Sequence, residues 1–170
     1  PTDSPTTIFP QSYGLGCTWD ESLIEKVGQQ TAIEARYYTQ RPGSKHHALV
    51  MRAPNADLAR DPRWGRTEES FGEDPFLTAR LTVAHIRGQQ GNHPRYWRTA
   101  ALMKHFLANS NEDGRDSTSS DFDNRLFREY YSYPFYKGIT EGGSRAFMAA
   151  YNSWNGIPMS IHPCLVDIAR

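Results

Sequence analysis

Residues Arg60 to Asp74 read RDPRWGRTEESFGED, and this stretch decides how the rest of the chain is to be folded. It is dense in charge, yet Pro62 and Gly65 forbid a continuous solvated helix, and Trp64 is too large and apolar to stand idle on a loop. Ahead of it, Ala48-Leu-Val-Met-Arg-Ala53 has the apolar run of a buried strand. Behind it, Asp74-Pro75-Phe76-Leu77 has the acidic cap and first-position proline of a helix start. An elaborate loop of arginines and carboxylates therefore lies between the end of a strand and the next helix. Parallel α/β folds house their chemistry at that place.

The alternation continues on both sides. An apolar stretch near Tyr13 to Cys17 leads into a helix from about Asp20, in which Ile24, Val27, Thr31, Ala35 and Tyr38 keep a spacing of three to four and which Pro42-Gly43 ends. The helix from about Asp74 should run to Gln90 and close at Gly91. A strand over Thr99 to Lys104, a polar loop over Leu107 to Ser120 and a helix from Asp121 or Asp123 follow. Pro134 breaks or restarts that helix, and Gly142-Gly143 ends it. A strand over Ala146 to Tyr151, a loop holding Gly156 and Pro158, and a helix start at Pro163 complete the chain. Strands alternating with helices predict an α/β fold of about four parallel β/α units. Four units fall short of the roughly 250 residues of an eight-stranded barrel. The 170 residues are therefore expected to be one incomplete TIM-type barrel domain, an interior piece of a longer protein. Its open strand edges should pair with the rest of its own domain or with a second copy.

Balanced charge, with 19 basic and 19 acidic side chains, gives no reason to expect nucleic acid or an anionic membrane as partner. No apolar run reaches transmembrane length, no secretory leader is read at the N-terminus, and the sequence assigns no compartment. Cys17 and Cys164 have neither redox nor metal spacing and read as two small buried residues rather than a disulfide. His46-His47 has no partner at metal-ligand spacing and reads as an exposed pair, so no metal or cofactor is expected. Gly14-x-Gly16 precedes a helix, but Trp19 stands where a dinucleotide fold needs its third glycine.

Lys104-His105-Phe106 lies where a strand meets its loop, so Lys104 and His105 can donate several hydrogen bonds into one pocket, to a polyhydroxylated or anionic ligand. Asn109 to Asp116, NSNEDGRD, adds amides, carboxylates and Arg115; alone it is an ordinary solvated turn. Met148 and Tyr151 end another strand. Three residues apart, they face opposite sides of a strand, and share a pocket only where it frays into its loop. Glu68, Glu69, Glu112 and Asp113 are the carboxylates from which a glycosidase pair could be drawn.

Taken together the motifs resemble the N-terminal barrel domain of glycoside hydrolase family 3, the family of many β-glucosidases and β-xylosidases. They occur in the family's order: Thr7-Ile-Phe-Pro10 with Thr18-Trp-Asp20, Asp61-Pro-Arg-Trp-Gly-Arg66 with Phe71-Gly-Glu-Asp-Pro75, Lys104-His-Phe106, Leu126-Phe-Arg-Glu-Tyr130 with Pro134-Phe135, and Met148-Ala-Ala-Tyr-Asn152 with Asn155-Gly156.

The resemblance implies a β-linked glucoside or oligosaccharide substrate, cleaved with retention at its non-reducing end. It implies that Arg66, Lys104, His105, Arg115, Met148 and Tyr151 surround the sugar. The four basic residues would donate to its hydroxyls, Met148 would form an apolar wall, and Tyr151 would sit near the nucleophile. In the family the Lys-His and His-Phe peptides are often strained or cis. The nucleophile, an aspartate, is expected after Arg170, the acid/base on a later loop or domain, and a sugar-binding aspartate upstream of Thr7. No catalytic residue is therefore assigned within the chain. A non-catalytic sugar-binding domain is the alternative.

Overall fold

A computed structural model describes residues 5–45 and 49–167. The elements follow as α1 (Ser12–Gly16), α2 (Glu21–Gln40), β1 (Val50–Met51), α3 (Pro75–Gln90), β2 (Ala100–Phe106), β3 (Ser119–Ser120), α4 (Asn124–Leu126), α5 (Tyr133–Thr140), β4 (Ala146–Ala149), β5 (Ser153–Trp154), β6 (Ile157–Pro158) and α6 (Cys164–Asp167). The chain is α/β: β1, β2 and β4 form a parallel sheet with β2 in the centre, and helices connect its strands.

Local chemistry sets the helix ends. Asp20 caps α2 by accepting the Leu23 N–H at 3.0 Å, and Asp74 caps α3 by accepting the Leu77 N–H at 2.6 Å. Pro75 opens α3, and Gly91, at φ 75°, ends it in a conformation that few side-chain-bearing residues adopt. Asp74→Ala should cost about 1 kcal/mol, read as a lowered urea midpoint at unchanged slope. Pro134 has no N–H to give the carbonyl of Tyr130, and the turn before it widens, with the Ser132 N–H reaching back to Phe127 at 2.9 Å.

The helices cover one face of the sheet. Met103 on β2 points at them, its Sδ pressed against Gly138 of α5 beside Ile86 of α3. Phe147, in register with Met103, lies on the same face and packs on Phe106. Pleating then puts Leu102, Lys104 and Met148 on the other face. Helices α2 and α3 cross at two glycines: a Cβ on Gly28 would lie 2.5 Å from the His85 carbonyl oxygen, and one on Gly88 2.0 Å from that of Glu25.

Several sequence expectations change. The first apolar stretch is the short helix α1 and adds no strand to the sheet, and Gly16 within it abuts the backbone of Phe71, where a Cβ would lie 1.8 Å from the carbonyl oxygen. The described parallel sheet has three strands. The polar loop ends in β3, which pairs with β5, and β5 turns into β6 through Asn155-Gly156, both at positive φ. Cys17 is exposed just past the end of α1, whereas Cys164 is buried; both thiols are free. His46-His47 lies outside the described residues. No helix among the described residues is long and apolar enough to cross a membrane.

Candidate sugar-binding site

The end of β2 organises the site. Just after β1 the chain passes through a cis Ala53–Pro54 peptide and lays Asn55 alongside Lys104, with the Ala56 N–H donating to the Lys104 carbonyl at 2.7 Å. That pairing brings Asp57 under His105. The Asp57 carboxylate accepts both the backbone N–H of His105, at 3.1 Å, and its ring Nδ1, at 2.8 Å. Arg66 approaches the other ring nitrogen, with Nη1 3.0 Å from Nε2. A guanidinium only donates, so Nε2 accepts and the ring proton sits on Nδ1, where it bonds Asp57. Both groups are 4% exposed, and burial pushes the Asp57 carboxyl above its usual range against the opposing pull of His105.

Glu69 is the shared anion of the two cations at the site's mouth. The 3₁₀ turn Thr67–Glu69 brings it back to Arg66, whose Nε and Nη2 each donate at 2.8 Å, one to each carboxylate oxygen. Lys104 Nζ reaches the same carboxylate at 2.9 Å, and Asn55 Nδ2 at 3.4 Å. The Arg66 hydrogen bonds, opposed by partial burial and reinforced by Lys104, hold the Glu69 carboxyl at about 2. Such a group cannot serve as a general acid near neutral pH.

A second cluster lies on the loop after β2. Trp64, 4% exposed, donates its indole N–H to Glu112 at 2.9 Å. Glu112 also accepts from Asn109 at 3.3 Å and from Arg115 Nη1 at 2.8 Å. The Arg115 guanidinium lies over the Tyr151 ring, 5.0 Å from its centroid. Strand β4 stops at Ala149, so Tyr151 sits in the loop beyond it and is 54% exposed.

Thus Arg66, Lys104 and His105 form one connected group, and Arg115 and Tyr151 form a second joined to the arginine loop through Glu112 and Trp64. Met148 is half-buried on β4, on the sheet face of Lys104. Both groups lie at the C-terminal ends of the sheet strands. The cis peptides are Lys104–His105 and Phe106–Leu107, not the Lys-His and His-Phe pair that the resemblance implied. Arg66 spends three of its five N–H donors, Lys104 one of three and Arg115 one of five on protein partners, so donors remain for a ligand. A hollow of about 450 Å³ opens between Glu112, Gly114, Arg115, Asp116 and Tyr151, and one of about 340 Å³ beside Asn55, Glu69 and Lys104. A hollow of about 520 Å³ between α2 and β1, lined by Phe9, Ala35, Tyr38 and Val50, holds no comparable cluster. Among the described residues no group of His, Cys, Asp and Glu is arranged to hold a metal ion.

Asp57 carried no signal of its role in the sequence, and Glu69 and Glu112 are two of the four carboxylates, with Glu68 and Asp113, from which a glycosidase pair could be drawn. Each carboxylate instead holds a basic residue of the site. Glu69 and Glu112 each hold an arginine three residues away, but the contacts to Lys104, Trp64 and, for Asp57, His105 join positions 35 to 48 residues apart, and only the isolated acid in the apolar run Ala56-Asp57-Leu58-Ala59 hinted at a buried partner.

A parallel α/β sheet thus gathers three cations and their carboxylates at its strand ends. Residues 2–170 match the glycosyl hydrolase family 3 N-terminal domain, and the chain belongs to that family. It is 38% identical over 161 residues to a β-glucosidase of Rhizobium radiobacter, covering 95% of this chain and 18% of the relative. Against a β-xylosidase of Formosa agariphila it is 37% identical, covering 97% and 22%. The crystal structure of a Kluyveromyces marxianus β-glucosidase in complex with glucose superposes with a TM-score of 0.85 at 33% identity, covering 98% of this chain and 19% of that one. A Listeria innocua β-glucosidase in complex with isofagomine gives 0.83 at 33% identity, covering 97% and 23%. The chain spans about a fifth of the length of the relatives it matches.

Proposed function

We propose that these residues form the glycone-holding side of a retaining β-glycosidase, most closely of the β-glucosidase type, built as about four units of a TIM-type barrel. Arg66, Lys104, His105, Arg115, Met148 and Tyr151 face the sugar, and the nucleophile and acid/base lie outside residues 1–170. One observation carries the reading: three cations stand at the strand ends, each bound to a carboxylate yet with donors to spare. Glu69 is shared by Arg66 and Lys104, Glu112 pairs with Arg115, and Asp57 lies beneath His105 as a third acid. Such a near-neutral, donor-rich wall suits uncharged hydroxyls better than a phosphate or carboxylate. The relatives named β-glucosidase and β-xylosidase support the same class. His105 is already engaged at both ring nitrogens, so a hydroxyl reaching the ring displaces Arg66 from Nε2. The outer strands β1 and β4 are where further barrel strands attach.

The test has two arms. D-glucose should bind saturably to the chain, and Arg66→Met or Lys104→Met should each weaken it about tenfold, the value of one charge-assisted hydrogen bond. A covalent β-glucosidase inactivator should leave residues 1–170 unlabelled, and aryl β-glucoside hydrolysis should stay at background. Labelling of Glu69, Glu112 or Asp113 would move the catalytic machinery into this chain, and an absence of glucose binding would refute the glycone site.

A further inference from the structure

We propose that Glu112 is the positioning residue of the sugar site: it fixes the direction of Arg115, and through it Tyr151, by anchoring both to the arginine loop. This deepens the glycone-holding reading and rests on it. Loop 107–118 contains no regular element, so its backbone alone does not aim a long arginine side chain. Glu112 supplies the constraint. One oxygen, Oε1, accepts the buried indole N–H of Trp64 at 2.9 Å and the amide of Asn109 at 3.3 Å. The other, Oε2, is left for Arg115 Nη1 at 2.8 Å. The carboxylate is thus locked in orientation by two neutral donors before it meets the guanidinium.

The Gly65 backbone lies beside the Glu112 side chain, where a Cβ would meet Cγ at 3.5 Å in ordinary van der Waals contact. Held this way, Arg115 lies over Tyr151, 5.0 Å from the ring centroid, and keeps four N–H donors for a ligand. The pair lines the hollow beside Gly114 and Asp116. An arginine without this anchor would lose its orientation to side-chain entropy, because its rotamer freedom is among the largest of any residue. Trp64, Asn109 and the Glu112 carboxylate therefore act together on one guanidinium.

Glu112→Gln tests this directly. The amide oxygen still accepts from Trp64 and Asn109, but the amide nitrogen offers Arg115 a donor in place of an acceptor. In the ligand-free protein, NMR should show contact between the Arg115 side chain and the Tyr151 ring in the parent chain and its loss in Glu112→Gln, while the Trp64 indole N–H resonance stays in place. With D-glucose as probe, Glu112→Gln should weaken binding about fivefold to tenfold. Arg115→Gln should weaken it as much, and the double variant no more than Arg115→Gln alone, since Glu112 acts through Arg115. Retention of the Arg115–Tyr151 contact, additive losses, or failure of Glu112→Gln to fold would each overturn the inference. Absence of glucose binding by the parent chain, with the ligand-free contact behaving as expected, would count against the glycone reading alone and leave the positioning role standing.

Discussion

Gly88→Ala should destabilise the chain by roughly 3 kcal/mol, although the same change in an exposed helix interior gains about 1 kcal/mol. The sign reverses because a Cβ at Gly88 would lie 2.0 Å from the Glu25 carbonyl oxygen and 2.9 Å from the Gln29 nitrogen. Those atoms are backbone of α2 and cannot swing aside as a side chain would. Relief requires the two helix axes to separate, which opens the cluster of Leu15, Ile24, Val27, Phe71, Leu81 and Ala84. Urea unfolding at pH 7 gives the measurement: a lower midpoint is expected, and a raised midpoint would show that α2 and α3 are free to part.

The second large effect is a pH dependence seated at His85. Its two ring nitrogens are buried without hydrogen-bond partners, between the Gly28 backbone and the edge of Phe71, whose ring centroid is 6.1 Å away. Burial alone holds its pKa at about 4, against 6.5 for the free side chain. The folded state thus favours the neutral ring, and the stability this gives is present above pH 6.5 and lost as pH falls towards 4. The loss should total on the order of 3 kcal/mol. His162, half-buried and stacked on Trp154, is also lowered by burial and contributes a smaller slope of the same sign. Glu69 acts mostly lower, between 4.5 and about 2, and meets the His85 window only at its acid end. His85→Leu should therefore flatten the stability profile between pH 6.5 and 4, read from urea midpoints at pH 7, 5 and 4. An unchanged slope in this variant would show that the ring is hydrated in the folded state.

The sequence by itself determined what is decided within a few residues. The ends of α3 follow from Asp74, Pro75 and Gly91, because caps and prolines act on their own turn. The parallel order of β1, β2 and β4 follows from the strand-helix alternation, and the need of Trp64 for a partner follows from its size. Family membership was legible too, since its motifs are strings of local residues in a fixed order. The Asn155-Gly156 hairpin carried a known turn signal but joins strands too short to show a pattern. The tertiary structure alone decided the rest. It made Ser12–Gly16 helical, where Gly16 must approach the Phe71 backbone. It set Asp57 against His105 and Trp64 against Glu112, each pair 48 residues apart. Glu69 and Arg66, like Glu112 and Arg115, are neighbours three residues apart, but the fold brought Lys104, 35 residues from Glu69, onto the first pair. Charge and hydrogen bonding act through space over a few ångströms, so contacts between distant positions form only when the strand ends converge.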